Sequence, residues 1–266
     1  MQESDRIRRS ASRVVVITGG TAGVGRATAR RFARAGASVA VLARGRAGLE
    51  ATQRELSTLG GAGLALEVDV SDPESVRRAA LRIEAELGPI DVSINNAMTT
   101  VYGRITDIAP EDFKRVTEVT YLGYVWGTQA ALAVMKPRNR GLIIQVGSSL
   151  AYRGIPLQSA YCAAKHAIRA FTDSLRCELL HDDLDIQLTM VQLPALNTPQ
   201  FDHCANQMEF RPQPVPPIYQ PEVAAEAIYD ASRRRRREVY VGGSTVQLIL
   251  AQKLMPGLVD RYLAAK

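Results

Sequence analysis

Short apolar runs alternate along this chain with longer stretches of helical period. Val14–Thr18 (VVVIT) is apolar at nearly every position, the mark of a strand buried on both faces. A glycine-rich turn follows. Val24, Thr28 and Phe32 then share one face of a helix predicted over 24–35, which Gly36 ends. The same reading predicts strands at 39–43, 64–68, 90–94, 142–146 and 185–191. It predicts helices at 46–59, 110–135 and 158–180, and a further one from Glu222. Ser71-Asp72-Pro73 opens another helix, with a polar cap and proline at the first helical position.

Strands alternating with helices of ten or more residues specify parallel βαβ units. The expected fold is therefore α/β, a doubly wound, Rossmann-like parallel sheet with helices on both faces. One such domain spans 13–243, between a flexible basic segment at 1–12 and an amphipathic tail at 244–266. Ligands in these sheets sit beyond the carboxyl ends of the strands, so the turns after the strands are where chemistry is expected.

Composition narrows the class. The chain has 266 residues, 46% hydrophobic and 23% charged, an ordinary globular balance. No apolar run is long enough for a membrane span, and the N-terminus has no apolar core for a secretory signal. Cys162, Cys177 and Cys204 are an odd number without CxxC spacing, which points to a reduced, cytoplasmic setting and no disulfide framework. The net charge of +6 is concentrated in residues 1–50, where ten arginines face three acids. Such an excess suits nucleic acid, an anionic surface or a phosphate-bearing small ligand.

The turns favour the last of these. Gly19, Thr21, Gly23, Val24 and Gly25 lie in Thr18-Gly19-Gly20-Thr21-Ala22-Gly23-Val24-Gly25, between strand and helix. Glycines there let backbone N–H groups approach a pyrophosphate at the positive end of the helix. After the second strand stands Arg44, with no acid beside it in sequence. An arginine there suits the 2′-phosphate of NADP, where a carboxylate would suit NAD. Asp69, ahead of Val70, either faces the adenine end of a cofactor or caps its local turn. Asn95 and Asn96 can satisfy backbone groups at a strand end even if a cofactor passes beside them.

Ser148 follows the fifth strand, Tyr161 comes thirteen residues later, and Lys165 four after that. Tyr161 and Lys165 project from one helical face, where a cation favours the phenolate. On spacing alone this is also an ordinary i,i+4 surface pair. A tyrosine tuned toward neutrality exchanges a proton with an alcohol or carbonyl oxygen, which a serine hydroxyl can polarise.

Together these residues resemble the short-chain dehydrogenase/reductase family in its compact single-domain form. TGxxxGxG is present as Thr18, Gly19, Gly23 and Gly25, NNA as residues 95–97, and the Ser–Tyr–Lys spacing as Ser148, Tyr161 and Lys165. The likeness runs from about residue 13 to 243. It implies an NADP(H)-dependent oxidoreductase interconverting a carbonyl and a secondary alcohol, with Tyr161 as the proton donor and acceptor and Ser148 orienting substrate. Lys165 would hold the nicotinamide ribose and lower the tyrosine pKa. Asp69, Val70, Asn96 and Thr198 would line the cofactor, and a homodimer or homotetramer is expected. Where the family places an asparagine that bends the long helix and supports a water-mediated proton path, this chain has Thr120. Thr120 keeps a hydroxyl and a carbonyl with which to serve in that relay. Thr120 and Met98, which ends the NNA motif, also admit a nucleotide-binding regulator with weak or no turnover.

Seven of the thirteen prolines fall in 194–221, around Phe201, Met208, Phe210 and Tyr219. That segment reads as a lid over an apolar substrate. His203 and Cys204 lack a second pair at ligand spacing, so no metal is expected. The arginines at 233–237 read as a solvated helix end, not a nucleic-acid site. Val246, Ile249, Leu250, Leu254 and Leu258 make the tail amphipathic, with a break at Pro256-Gly257. It is expected to close the pocket or a subunit contact.

Overall fold

The computed structural model describes residues 13–265, so the basic segment 1–12 of the sequence reading lies outside the described residues. Strand β1 (Val14–Thr18) is buried at all its positions. Alternate residues face opposite layers: Val15 and Ile17 join one hydrophobic core, Val14 and Val16 the other. A strand with helices on both faces must be apolar throughout, which explains the VVVIT run.

The remaining strands are β2 (Ser38–Ala43), β3 (Gly63–Glu67), β4 (Ile90–Asn95), β5 (Val101–Tyr102), β6 (Gly141–Ser148), β7 (Ile186–Leu193), β8 (Ala205–Asn206) and β9 (Glu238–Tyr240). Seven of them form one sheet in the order β3-β2-β1-β4-β6-β7-β9, with every pairing parallel. This is the doubly wound, Rossmann-like architecture. Its order reverses between β1 and β4, which opens a crevice at the carboxyl ends of those strands. The seventh strand is one that the apolar pattern does not predict. β9 is three residues long, and its pairing with β7 continues in a bond from Val241 N to Gln192 O at 2.9 Å.

Helices α1 (Gly23–Arg34), α2 (Arg46–Thr58) and α3 (Pro73–Leu87) connect the first four strands. Asp72 caps α3 by accepting from Glu74 N at 3.0 Å. The single helix predicted at 110–135 needs correction. It comprises α4 (Pro110–Val116), a widened π-helical turn at Thr117–Leu122, and α5 (Gly123–Met135). α6 (Ser159–His181) follows β6.

The 194–221 segment is less irregular than its prolines suggest. It contains the single turn α7 (Gln200–His203) and the bridge strand β8, which pairs with β5. Its base is closed by Asn197 N to Tyr219 O (2.8 Å) and Tyr219 N to Ala195 O (3.0 Å). α8 (Pro221–Ala231) packs beside α1, where Arg31 lies 3.4 Å over the Tyr229 ring. The arginines that follow it are tied down in part. Arg235 pairs with Asp185 at 2.6 Å and Arg237 with Asp173 at 2.5 Å.

The tail forms α9 (Gly243–Leu254) and α10 (Pro256–Ala264). Thr245 and Ile249 are buried, but Val246, Leu250, Leu254 and Leu258 are exposed. Most of its apolar face therefore points outward, away from the pocket and where the expected subunit contact would lie. No helix among the described residues is long and apolar enough to cross a membrane.

Candidate active site

The glycine turn owes its shape to close backbone approach. Gly19 has φ +67° and Gly23 φ +47°, in the left-handed region that favours glycine. At Gly25 a Cβ would stand 2.1 Å from Gly19 O, so any other side chain would displace the turn. α1 starts with no side-chain cap on its first-turn amides. The arrangement is one that accepts an anion.

The turn is braced from β4. Thr18 Oγ1 accepts from Asn96 N (2.9 Å) and Ala97 N (3.0 Å). Asn96 Nδ2 donates to Thr18 O (2.9 Å) and Gly19 O (3.3 Å). The Asn96 side chain thus spends its donors on holding the turn. Thr21 packs against Gly48 of α2, and Val24 against the core. Thr198 meets the turn from the other side, with its Cγ2 3.2 Å from where a Gly23 Cβ would be. The Thr198 hydroxyl is buried without a partner. The Thr198 residue borders a cavity of about 400 Å³ with Pro199, Phe201, Asp202, Arg211 and Pro212. An uncapped helix start, a cradle that excludes side chains and an unspent buried hydroxyl fit a dinucleotide.

Asp69 accepts from Ser71 N (3.0 Å), Ser71 Oγ (2.8 Å) and Arg115 Nη2 (2.7 Å). Burial works to raise its pKa, but the Ser71 hydrogen bonds and the Arg115 guanidinium outweigh it and hold it below the ordinary value. The local-turn role is thus present, and Arg115 is a partner that sequence spacing did not reveal. Val70 is buried against Gly123, whose Cβ would stand 2.8 Å from Val70 Cγ2. Arg44 is exposed just past β2. Sheet register sets Glu67 of β3 beside Ala43, and alternation along the strand turns Arg44 to the other face.

Ser148, Tyr161 and Lys165 come together at the carboxyl end of β6. Ser148 ends the strand, and its hydroxyl accepts from Leu150 N at 3.1 Å. Tyr161 lies in the first turn of α6, and burial pushes its phenol above the ordinary value while a hydrogen bond from Ser148 pulls the other way. Lys165 is 2% exposed, and burial lowers its pKa to about 7. Its Nζ lies 5.6 Å from the Tyr161 ring centroid. The expected depression of the tyrosine pKa by this lysine is not seen in the protein alone. Lys165 is bonded elsewhere, to Val146 O (2.8 Å) and to the hydroxyl of Tyr124 (3.0 Å).

Thr120 is wholly buried in the π-helical turn. Its hydroxyl donates to Thr99 O (2.7 Å) and accepts from Thr99 N (2.9 Å). The backbone of Thr99 thus engages this hydroxyl in both directions. His203 and Cys204 stand in no group of three or more metal-ligating side chains among the described residues.

A family model described as short chain dehydrogenase matches residues 13–209. The chain belongs to the short-chain dehydrogenase/reductase family. As members of that family do, it counts among oxidoreductases that bind a nicotinamide cofactor. It is 32% identical over 260 residues to the uncharacterized oxidoreductase YxnA of Bacillus subtilis, covering 97% of this chain and 73% of that one. It is 38% identical over 179 residues to dehydrogenase/reductase SDR family member 7B of Bos taurus, covering 65% of this chain and 55% of that one. Among solved structures it is similar to an alcohol dehydrogenase from the archaeon Thermococcus sibiricus complexed with 5-hydroxy-NADP. That similarity has a TM-score of 0.73 and 27% identity, over 86% of this chain and 96% of that one.

Against the family's motifs, Tyr124 is the residue that sequence reasoning missed. Its signal was a polar aromatic one helical turn beyond Thr120, in a largely apolar helix. A second omission is the buried network in which Asn95 Nδ2 donates to Gln145 Oε1 (2.9 Å) and Thr128 Oγ1 (3.1 Å), which ties β4 to β6 and α5. Polar residues at the buried positions 95 and 145 of two central strands were its trace.

Proposed function

We propose that the protein is an NADP(H)-dependent oxidoreductase that interconverts a carbonyl compound and a secondary alcohol. The observation that carries this reading is the meeting of Tyr161, a fully buried Lys165 and Ser148 at the carboxyl end of β6. The nicotinamide, when bound, supplies or accepts the hydride. Tyr161 gives the proton to the substrate oxygen in reduction and takes it back in oxidation. Burial keeps the phenol protonated, the form needed for giving. Ser148 donates to the same oxygen and polarises it. Lys165 holds the nicotinamide ribose, and its charge favours the phenolate. Gly19, Thr21, Gly23, Val24 and Gly25 take the pyrophosphate, while Asp69, Val70, Asn96 and Thr198 line the rest of the cofactor.

Exposed Arg44 supports the choice of NADP, as a partner for the 2′-phosphate. The 5-hydroxy-NADP complexed with the archaeal alcohol dehydrogenase supports it too. In this reading the 194–221 segment is a lid over an apolar substrate, and the enzyme is a cytoplasmic homodimer or homotetramer.

Calorimetric titration with NADPH and NADH tests the cofactor. NADPH should bind about tenfold tighter or better, and Arg44→Ala should remove the difference. Equal affinities overturn the NADP assignment. Tyr161→Phe should keep cofactor affinity but slow reduction of aliphatic and aromatic ketones by about 10²–10⁴-fold. Unchanged turnover in that variant overturns the mechanism. Full cofactor affinity with no turnover in the wild type would favour the alternative, a nucleotide-binding regulator on the same fold.

A further inference from the structure

Lys165 is a long, flexible side chain whose amine is sealed inside the protein, and something must fix it there. Two acceptors reach it. Nζ donates to Val146 O at 2.8 Å and to Tyr124 Oη at 3.0 Å, and Tyr124 Oη donates to the same Val146 carbonyl at 2.9 Å. The three groups, from α6, α5 and β6, close a triangle. Tyr124 is 1% exposed, and burial holds its phenol well above the ordinary value, so it stays protonated. A hydroxyl that gives its proton to a carbonyl is a better acceptor for a neighbouring N–H. Its ring adds to this, with Nζ 4.7 Å from the centroid.

Thr120 cannot do this work. Its hydroxyl is engaged at both ends by the Thr99 peptide. We propose that Tyr124 is the positioning residue of Lys165, its hydroxyl fixing the ammonium against the Val146 carbonyl, in a chain whose Thr120 side chain is committed to another task. The proposal rests on the reading of Lys165 as part of the active site. The titratable groups facing Lys165 are Tyr124 from α5 and Tyr161 one turn earlier on α6, while β6 offers a carbonyl. No acid among the described residues acts on it, and burial alone sets its shift.

The chain has five lysines, Lys114, Lys136, Lys165, Lys253 and Lys266, so ¹³Cε-lysine NMR can follow each through a pH titration of the whole protein. In the wild type Lys165 should titrate near pH 7. Tyr124→Phe removes one acceptor from the ammonium, so its midpoint should fall by about one pH unit, the other four holding still. Thr120→Val should leave Lys165 where it is. A Lys165 midpoint that does not move in Tyr124→Phe overturns the proposal, and so does an equal fall in both variants. If Tyr124→Phe does not fold, the wild type still decides. At pH 6 the Lys165 ammonium protons should show a nuclear Overhauser contact to the Tyr124 ring, and its absence overturns the assignment. The titration is read without cofactor or substrate. It therefore stands apart from the catalytic reading, which turnover of Tyr161→Phe decides.

Discussion

The two walls of the crevice are built differently. On the β1 side the glycine turn is fixed by side-chain to main-chain bonds between Thr18 and Asn96 and Ala97, just past the end of β4. On the far side the 194–221 segment closes at its base but leaves Phe210 79% and Val215 69% exposed. A wall that meets one invariant chemical group gains from rigidity, because its geometry never has to change. In the proposed lid role the second wall meets a substrate, and such a wall can vary in side chain while its anchors stay in place. The contrast also explains why the first wall reads as a motif and the second as a composition.

The comparison breaks most readily at Gly25. Gly25→Ala forces a methyl group to 2.1 Å from Gly19 O, so the turn must move. We expect a loss of about 3 kcal/mol in urea denaturation and the disappearance of NADPH binding. A stable variant with normal affinity would show that the turn is not held as described. Thr18→Val is gentler. It strands the amides of Asn96 and Ala97 without their acceptor, which should cost about 2 kcal/mol and weaken the cofactor in step. The smallest effect should come from the opposite wall. Phe210→Ser should change stability by less than about 0.5 kcal/mol, while raising KM for apolar ketones. A stability loss several times larger would mean that the segment is as firmly seated as the glycine turn, and the contrast would fail.

Much of the frame was legible because it repeats a physical rule. Strands such as Val14–Thr18 are apolar throughout since both faces are covered, and Gly25 stands where no Cβ can. What escaped depends on partners distant in sequence. β9 has three residues and no usable period, and its place is set by bonds to β7. Glu67 comes beside Ala43 through register, which local reading does not contain. The helical spacing of Tyr161 and Lys165 indicates a shared face. It says nothing of Tyr124 and Val146, which lie 41 and 19 residues from Lys165 and take its hydrogen bonds. The break near Thr120 is similar, since its partner Thr99 lies in the loop after β4.

The sheet order also bears on how the chain reaches this state. β1 sits between β2, made soon after it, and β4, whose Asp91 reaches the Val14 amide across 77 residues. β1 is made long before β4 and therefore waits for this distant neighbour, with an apolar edge open to other chains in the meantime. Long-range parallel pairing is slow, and such edges invite association. Refolding from denaturant should accordingly lose yield as protein concentration rises. The shortfall should trace to the interval before β4 docks, when the centre of the sheet is still open.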